Sequence, residues 1–160
     1  MTRILGIDPG FDRLGIAILE KNKSDKKESI IFSECFKTSS KLEFPERLNL
    51  IGKEVKKIIK KYKPEVLAIE TLFLNTNQKT VMRVAEARGV VVYEAAQAGL
   101  RVFEATPLQI KIAVTGYGRA DKTQVMKMVK ILVALDKKKT SDDELDAIAA
   151  SLTAFAHIRF

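Results

Sequence analysis

The segment Arg-Ile-Leu-Gly-Ile-Asp-Pro-Gly (residues 3–10) is a nearly continuous apolar run that ends in an acid and a turn. Such a run is typical of a short strand buried on both faces, which the Pro–Gly pair ends. Strands at Leu14–Leu19 and Ser29–Phe36 follow, joined by a polar, lysine-rich hairpin tip over Asn22–Glu28. Because the connections are too short for crossovers, we expect these three strands to form an antiparallel meander.

The pattern then changes to helical spacing. Apolar residues predict a long helix from Phe44 to Tyr62, which Pro64 ends, and a second buried strand over Glu65–Glu70. A right-handed crossover should place that strand parallel to one of the first three. A helix is predicted over about 76–98 and a strand over 101–105. Three further helices are predicted over about 107–114, 121–135 and 142–155. The sequence thus predicts an α/β fold with a five-stranded mixed sheet, three antiparallel strands then two parallel ones, flanked by helices.

Length and composition exclude several classes of protein. The 160 residues predict a single domain over 1–160. One Cys and one His, Cys35 and His157, exclude a disulfide framework and a metal site built from His or Cys. No apolar run approaches the roughly 20 residues of a membrane span, so we expect a soluble, cytoplasmic protein with no membrane partner. The net charge of +8 fits polyanion binding and a lysine-rich solvated surface equally well.

Acidic residues occupy unusual positions. Asp8 and Glu70 each end a buried strand, where desolvating a carboxylate is costly unless something compensates it. If the two strands are parallel neighbours, both acids lie at the same edge of the sheet, where open α/β sheets place their sites. Asp143 and Asp146 are three residues apart and share a face of the final helix. The alternative is a turn-initiating Asp8 and, for Asp142 and Asp143, first-turn acids that complement the helix dipole.

Four oxygen donors converging without His or Cys suit Mg²⁺ or Mn²⁺. Two such ions, about 3.5–4 Å apart and bridged by a shared carboxylate, would stabilise the attacking and leaving oxygens in phosphodiester hydrolysis. The ions would also compensate the repulsion between the carboxylates. The predicted metal ligands are Asp8, Glu70, Asp143 and Asp146.

Several segments, in order along the chain, resemble the RuvC family of bacterial Holliday-junction resolvases. They are Ile-Leu-Gly-Ile-Asp-Pro-Gly (4–10), Ala-Ile-Glu-Thr-Leu-Phe (68–73), Ala-Arg-Gly-Val (87–90), Gln-Ile-Lys (109–111), Lys-Thr-Gln-Val (122–125) and Asp-Xaa-Xaa-Asp-Ala-Ile-Ala (143–149). The resemblance implies an RNase H-like fold and a homodimer that resolves four-way DNA junctions in recombination and repair. It further implies metal-dependent, symmetric nicking that leaves 5′-phosphate and 3′-hydroxyl ends. A RuvAB branch-migration complex is the further partner that the family implies.

The resemblance also assigns residues. It implies that Asp8, Glu70, Asp143 and Asp146 are the catalytic acids, and that Lys111 and Lys122 lie near the scissile phosphate. Some family members carry His at the position of Asp143. Phe73 matches an aromatic residue beside opened bases, although a Phe after a buried strand is more often core. The remaining predicted DNA contacts are Asn75, Asn77, Lys79 and Arg119.

Two of these features, the loop before Lys122 and the second helix, each have an alternative interpretation. Gly116–Arg119 enters a helix that begins near Lys122 and can hold a phosphate, or is an ordinary glycine turn. The excess of apolar residues on the second helix indicates a dimer interface or a thicker core; these residues are Val81, Val84, Ala85, Val91 and Val92.

Three other functions compete with the resolvase. The opening Gly-Ile-Asp-Pro-Gly followed by Arg13-Leu14-Gly15 also resembles YqgF-type RNase H-like proteins, linked to ribosomal RNA processing. A junction-binding module without catalysis is disfavoured because all four acids are present. An actin-like phosphotransferase also begins with Gly-Ile-Asp, but 160 residues are too few for its two lobes.

Overall fold

The computed structural model describes residues 1–22, 24, 27–71, 78–135 and 140–159. The strands are β1 (Thr2–Asp8), β2 (Arg13–Lys21), β3 (Ser29–Lys37), β4 (Val66–Glu70) and β5 (Arg101–Ala105). The helices are α1 (Phe44–Tyr62), α2 (Gln78–Gln97), α3 (Pro107–Thr115), α4 (Lys122–Leu132) and α5 (Asp142–His157). Among these described residues, no helix is long and apolar enough to cross a membrane.

The five strands form one mixed sheet in the order β3-β2-β1-β4-β5. The first three strands pair antiparallel, and β4 pairs parallel with both β1 and β5. The crossover through α1 therefore places β4 directly beside β1. The predicted α/β fold and its mixed sheet are confirmed.

The two faces of the sheet carry side chains of different size. One face presents large apolar residues that pack against α1 and α2, among them Leu5, Ile7, Leu14, Ile16, Ile18, Leu67 and Ile69. The opposite face presents smaller residues under α5, including Gly6, Gly15, Ala17 and Ala68. The alternation follows from the two-residue period of a strand, and it lets α5 lie close to the sheet.

The predicted end of the fourth helix is wrong. We expected it to continue to residue 135, but α4 ends at Leu132. Ala134 adopts a left-handed backbone conformation with φ of 47°, and the Leu135 N–H bonds to the Lys130 carbonyl oxygen at 3.0 Å. That bond satisfies one of the carbonyl groups left open at the end of a helix, so the apolar sequence continues while the helix does not.

Candidate active site

Asp8 and Glu70 end two neighbouring parallel strands. The register of β1 against β4 matches Ile7 with Ile69. The next residue of each strand is the acid, so both carboxylates lie at the carboxyl edge of the sheet. The structure thus brings these two sequence-predicted residues together, at the place where α/β sheets build their sites.

Close approach of α5 to the sheet adds a third acid. A methyl group on Gly6 would overlap the main-chain carbonyl of Ala147, and one on Gly15 would overlap that of Asp143. Gly15 is also the cross-strand partner of Asp8. The first turn of α5 therefore lies directly over the strand pair that carries Asp8, in contact that only glycine allows.

The start of α5 is fixed by a capping box. The Ser141 side chain accepts a bond from the Glu144 N–H at 3.2 Å, and the Glu144 carboxylate accepts one from the Ser141 N–H at 3.0 Å. This arrangement satisfies two otherwise unbonded N–H groups and defines the first turn. Asp143 consequently lies in the first turn, and Asp146 follows three residues later on the same side of the helix.

The charges of the three other acids act on Asp8. Burial raises the pKa of Asp8 to about 7, reinforced by the charges of Asp146, Asp143 and Glu70 and opposed by Lys122. This pKa is far above the ordinary value of an aspartate, 3.8. A carboxyl that resists ionisation in a cleft is a recognised mark of a functional site.

Glu70 and Asp146 are shifted in the same direction. Burial is the main cause of the raised pKa of both, and the charge of Asp146 adds to the effect on Glu70. Lys122 opposes the shift in each case. The cluster is therefore short of positive charge, even though a lysine lies within it.

That lysine is at the start of α4. Lys122 Nζ forms an ion pair with Asp146 Oδ2 at 3.2 Å. The helix itself is capped by Asp121, whose side chain accepts a bond from the Gln124 N–H at 2.8 Å. The Asp121 carboxylate already accepts a hydrogen bond at the start of α4. The helix therefore contributes the side chain of Lys122 to the site, and not its backbone N–H groups.

Asp143 has different partners from the other acids. Arg13 of β2 donates from Nε to Asp143 Oδ2 at 2.8 Å, and its Nη2 lies 2.6 Å from the same oxygen. The Cys35 thiol approaches that oxygen as well, at 3.5 Å. Sequence reasoning missed the role of Arg13. Its place two residues before Gly15, on the same face of β2, is the signal that could have found it.

These donors suit a hard divalent cation. All four acids offer oxygen ligands, and a cation would stabilise the ionised form of Asp8, whose pKa is raised mainly by burial and further by the neighbouring carboxylates. Within the part of the chain that the structure describes, no three Asp, Glu, His or Cys side chains are gathered closely enough to hold one ion. Asp143 and Asp146 instead pair with Arg13 and Lys122, each through its Oδ2 oxygen.

The turn after Asp8 is held rigidly. Arg47 is buried, and its Nε donates to the Thr38 hydroxyl at 2.8 Å while its guanidinium pairs with Asp12. The same guanidinium lies over the Phe11 ring, 5.1 Å from the centroid. Sequence reasoning missed this contribution of α1, which fixes the loop that follows Asp8.

The other predicted residues lie at varied distances from the acids. Lys111 lines a cleft of about 270 Å³ together with Glu70, Lys122 and Asp146. Arg119 is exposed in the turn between α3 and α4, and Lys79 is exposed near the start of α2. Phe73, Asn75 and Asn77 lie outside the described residues.

Comparison with known proteins identifies a family. The family model described as crossover junction endodeoxyribonuclease RuvC matches residues 4–154. A protein of that name from Halothermothrix orenii is 46% identical over 149 residues, covering 93% of this chain and 89% of the relative. One from Thermosipho melanesiensis is 44% identical over 158 residues, covering 99% of each chain. The match favours this family over the YqgF-type alternative.

A solved structure agrees with the sequence comparison. The Thermus thermophilus RuvC in complex with a Holliday junction substrate superposes with a TM-score of 0.90 and 30% sequence identity. The alignment covers 97% of this chain and 93% of the other. The family match over residues 4–154 includes all four acids.

Proposed function

The chain belongs to the RuvC family of crossover junction endodeoxyribonucleases, and on that premise we propose that Asp8, Glu70, Asp143 and Asp146 form its metal-dependent catalytic site. The fold is RNase H-like, and the protein is a nuclease hydrolase. Nucleases of this family depend on metal ions. The substrate of the proposed site is a four-way DNA junction, the substrate named for the T. thermophilus relative.

The observation that carries this assignment is the convergence of the acids within a basic chain. Asp8 is held by burial and neighbouring carboxylates at a pKa of about 7. If the four acids serve metal ions, the rest of the sequence holds 28 basic residues against 16 acidic ones. A site that needs cations, surrounded by a surface that attracts phosphates, suits hydrolysis of a nucleic acid backbone.

The proposal includes two Mg²⁺ ions, with Mn²⁺ as the alternative, held by these four carboxylates. Bound divalent cations would activate water and neutralise charge on the phosphate, giving 5′-phosphate and 3′-hydroxyl ends. Asp8 lies centrally among the acids and is the candidate for a shared ligand. Lys122, which pairs with Asp146 in this structure, would place its ammonium group beside the phosphate and offset its charge. Lys111, in the same cleft, adds a second positive charge.

A homodimer would present two such sites to the two symmetric strands of the junction. The outer side of α2 offers a surface for this purpose, since Met82 and Tyr93 are 65% and 60% exposed. Of the residues predicted from the sequence, Val91 is core, Val81, Val84 and Val92 are half-buried, and Ala85 is exposed. The proposed interface therefore centres on Met82, Ala85, Gly89 and Tyr93, which share one side of the helix.

Two wider features complete the proposal. Because the substrate is chromosomal DNA under recombination and repair, the proposed location is the cytoplasm. A RuvAB branch-migration complex is the proposed partner on the junction. Both rest on family membership rather than on a particular contact.

The test is cleavage of a labelled four-way junction with and without Mg²⁺, with the nick positions mapped. We expect metal-dependent, symmetric nicks near the crossover, and junction binding without cutting for Asp8→Asn. Asp142→Asn is the matched control, because Asp142 is exposed and lies beside the proposed ligands. Undiminished cutting by Asp8→Asn would refute the site, and random nicking of duplex DNA would refute the substrate.

A further inference from the structure

A second groove lies on the far side of the acids from Lys122. It has a volume of about 540 Å³ and is lined by Arg13, Cys35, Lys37, Thr140, Ser141 and Glu144. Two of these residues are basic, and neither was singled out by the sequence as a DNA contact. The groove adjoins the proposed catalytic site through Arg13, which binds Asp143.

The register of the sheet places Arg13 and Lys37 on the same face as the acids, two residues beyond the row that contains Asp8 and Gly15. Arg13 and Lys37 are directly opposite each other on β2 and β3, so their side chains share a face. It is the face covered by α5, on which Asp8 also lies beside Gly15. Across the sheet edge the order is therefore Lys37, Arg13, Asp8 and Glu70, with Lys122 beyond.

This line has the length of a short DNA segment. Adjacent strands lie about 4.8 Å apart and a strand rises about 3.3 Å per residue, so Lys37 lies roughly 14 Å across the sheet from Glu70 and about 7 Å further along it. A stacked DNA strand covers the resulting distance of roughly 16 Å with about five nucleotides, at roughly 3.4 Å of axial rise each. A strand whose phosphate lies at Asp8 and Glu70 thus brings a neighbouring phosphate to Arg13 and Lys37.

The groove offers unused hydrogen-bond donors. Arg13 contacts Asp143 through Nε and Nη2 and lies beside the Cys35 thiol. A guanidinium carries five N–H groups, so Arg13 can bind a phosphate at the same time. Lys37 is exposed, and among the described residues no ion pair engages it. Glu144 is turned inward, where it accepts bonds from Ser33 and Ser141. The open side of the groove is therefore positively charged.

We propose that Arg13 and Lys37 bind a backbone phosphate of the cleaved DNA strand, a few nucleotides from the cut and on the opposite side of the acids from Lys122. The proposal rests on the proposed function and extends it to a subsite. Cations on both flanks hold the strand across a cluster of carboxylates that would otherwise repel it. The two contacts also fix how far the strand can slide, and so contribute to the position of the nick.

The first measurement compares junction binding by the parent, Lys37→Ala and Lys60→Ala in EDTA over a series of salt concentrations. Lys60 is an exposed lysine of α1 on the other face of the sheet, so the control removes the same charge elsewhere. We expect Lys37→Ala to weaken binding about 3- to 10-fold and to reduce the salt slope by about 0.9, the value for one phosphate. The control should change affinity less than about twofold.

The second measurement locates the phosphate. Single neutral methylphosphonates are placed in turn at each position within about six nucleotides of the cut, and binding of the three proteins is compared. At one position the effects of Lys37→Ala and the methylphosphonate should not add, because both remove the same contact. For Lys60→Ala the two effects should add at every position.

The outcomes separate the two levels of the proposal. Equal binding by Lys37→Ala and Lys60→Ala, or additive effects at every position, overturns the phosphate subsite while the proposed function stands. The parent protein is assayed for junction cutting in Mg²⁺ in parallel. A parent that neither binds nor cuts the junction overturns the proposed function, and the subsite with it.

Discussion

The two faces of the sheet differ in the size of their side chains and in how closely a helix approaches them. The face under α1 and α2 presents fully buried side chains with four side-chain carbons, such as Leu5, Ile16 and Ile69. The face under α5 presents glycine and alanine near the acids, and Ile4, Leu19 and Val66 lie further from them. The helix packs here through Ala147 and Ala150. Large side chains bury more apolar area and so contribute more to stability. Small side chains let α5 approach the sheet closely, which brings the acids of the helix to those of the strands. This face therefore buries less apolar area but positions the acids.

Gly15→Ala is expected to have the largest effect on the α5 face. The added methyl would overlap the Asp143 carbonyl and come within 3.0 Å of the Asp8 Cβ, so α5 must move away from the sheet. We expect the cutting rate per folded molecule to fall about 100-fold or more, since small misplacement of catalytic groups is that costly. Single-turnover junction cleavage measures the rate, and circular dichroism measures the folded fraction.

The matched control is the neighbouring residue. Leu14 is fully buried on the opposite face, and Leu14→Ala should cost about 2–5 kcal/mol of stability. Its folded molecules should still cut within about threefold of the parent rate. If Gly15→Ala cuts normally, or Leu14→Ala loses its rate while folded, the division between the two faces is wrong.

The second-largest expected effect is on the free energy of unfolding, through the ionisation of Asp8 on the α5 face. In the absence of metal, the pKa of Asp8 is about 7 in the folded chain against 3.8 as its ordinary value, so the folded state binds more protons between these values. Stability must therefore fall as the pH rises from about 4 to about 7. Asp8→Asn removes this loss, and we expect it to be more stable than the parent by on the order of 2 kcal/mol at pH 8, after allowance for solvent screening.

Urea unfolding at pH 5 and pH 8 in EDTA measures this difference. The advantage of Asp8→Asn should be smaller at pH 5, where most parent molecules carry a protonated Asp8. Mg²⁺ at pH 8 should stabilise the parent more than the variant. An equal advantage at both pH values would show that charge at Asp8 is not its cause.

How far the sequence predicts this molecule differs between the two faces. Nearly continuous apolar runs predicted the buried strands, and helical spacing of apolar residues predicted α1. Asp8 and Glu70 were also predictable, since an acid at the end of a buried strand is conspicuous. The role of Gly15 was not, because a glycine in a strand does not by itself reveal which backbone atom it faces.

Arg13 and Arg47 show a second limit of prediction from sequence, which concerns contacts that form only in the folded chain. Their partners Asp143 and Thr38 are, respectively, 130 and 9 residues away along the chain. Charged residues near a turn are ordinary. Only the folded arrangement shows that Arg13 binds a candidate metal ligand and that Arg47 is buried beneath the loop that follows Asp8. Local pattern carries no information about such contacts.

A smaller test compares adjacent residues of β4. Ala68 packs beneath α5 with Ala150, whereas Ile69 lies on the other face with the α1 side of the core. Ala68→Val should overpack its site, cost about 1–3 kcal/mol and lower the cutting rate about 10-fold as α5 is displaced. Ile69→Val should cost about 0.5–1.5 kcal/mol and leave the rate unchanged. Thermal unfolding and single-turnover cleavage check both, and equal rates would contradict the comparison.

The smallest effect is expected for Cys35→Ala, which alters the α5 face without altering its spacing. Burial is the main cause of the raised pKa of this thiol, so it stays protonated at neutral pH and contributes only a weak S–H donor, 3.5 Å from Asp143 Oδ2. Arg13 binds the same oxygen more closely, at 2.6 Å, and remains in the variant. We therefore expect cutting within about twofold of the parent and a stability change below about 1 kcal/mol. A loss of cutting comparable to that of Gly15→Ala would mean that side-chain contacts at Asp143, and not the spacing of α5, set the geometry of the site.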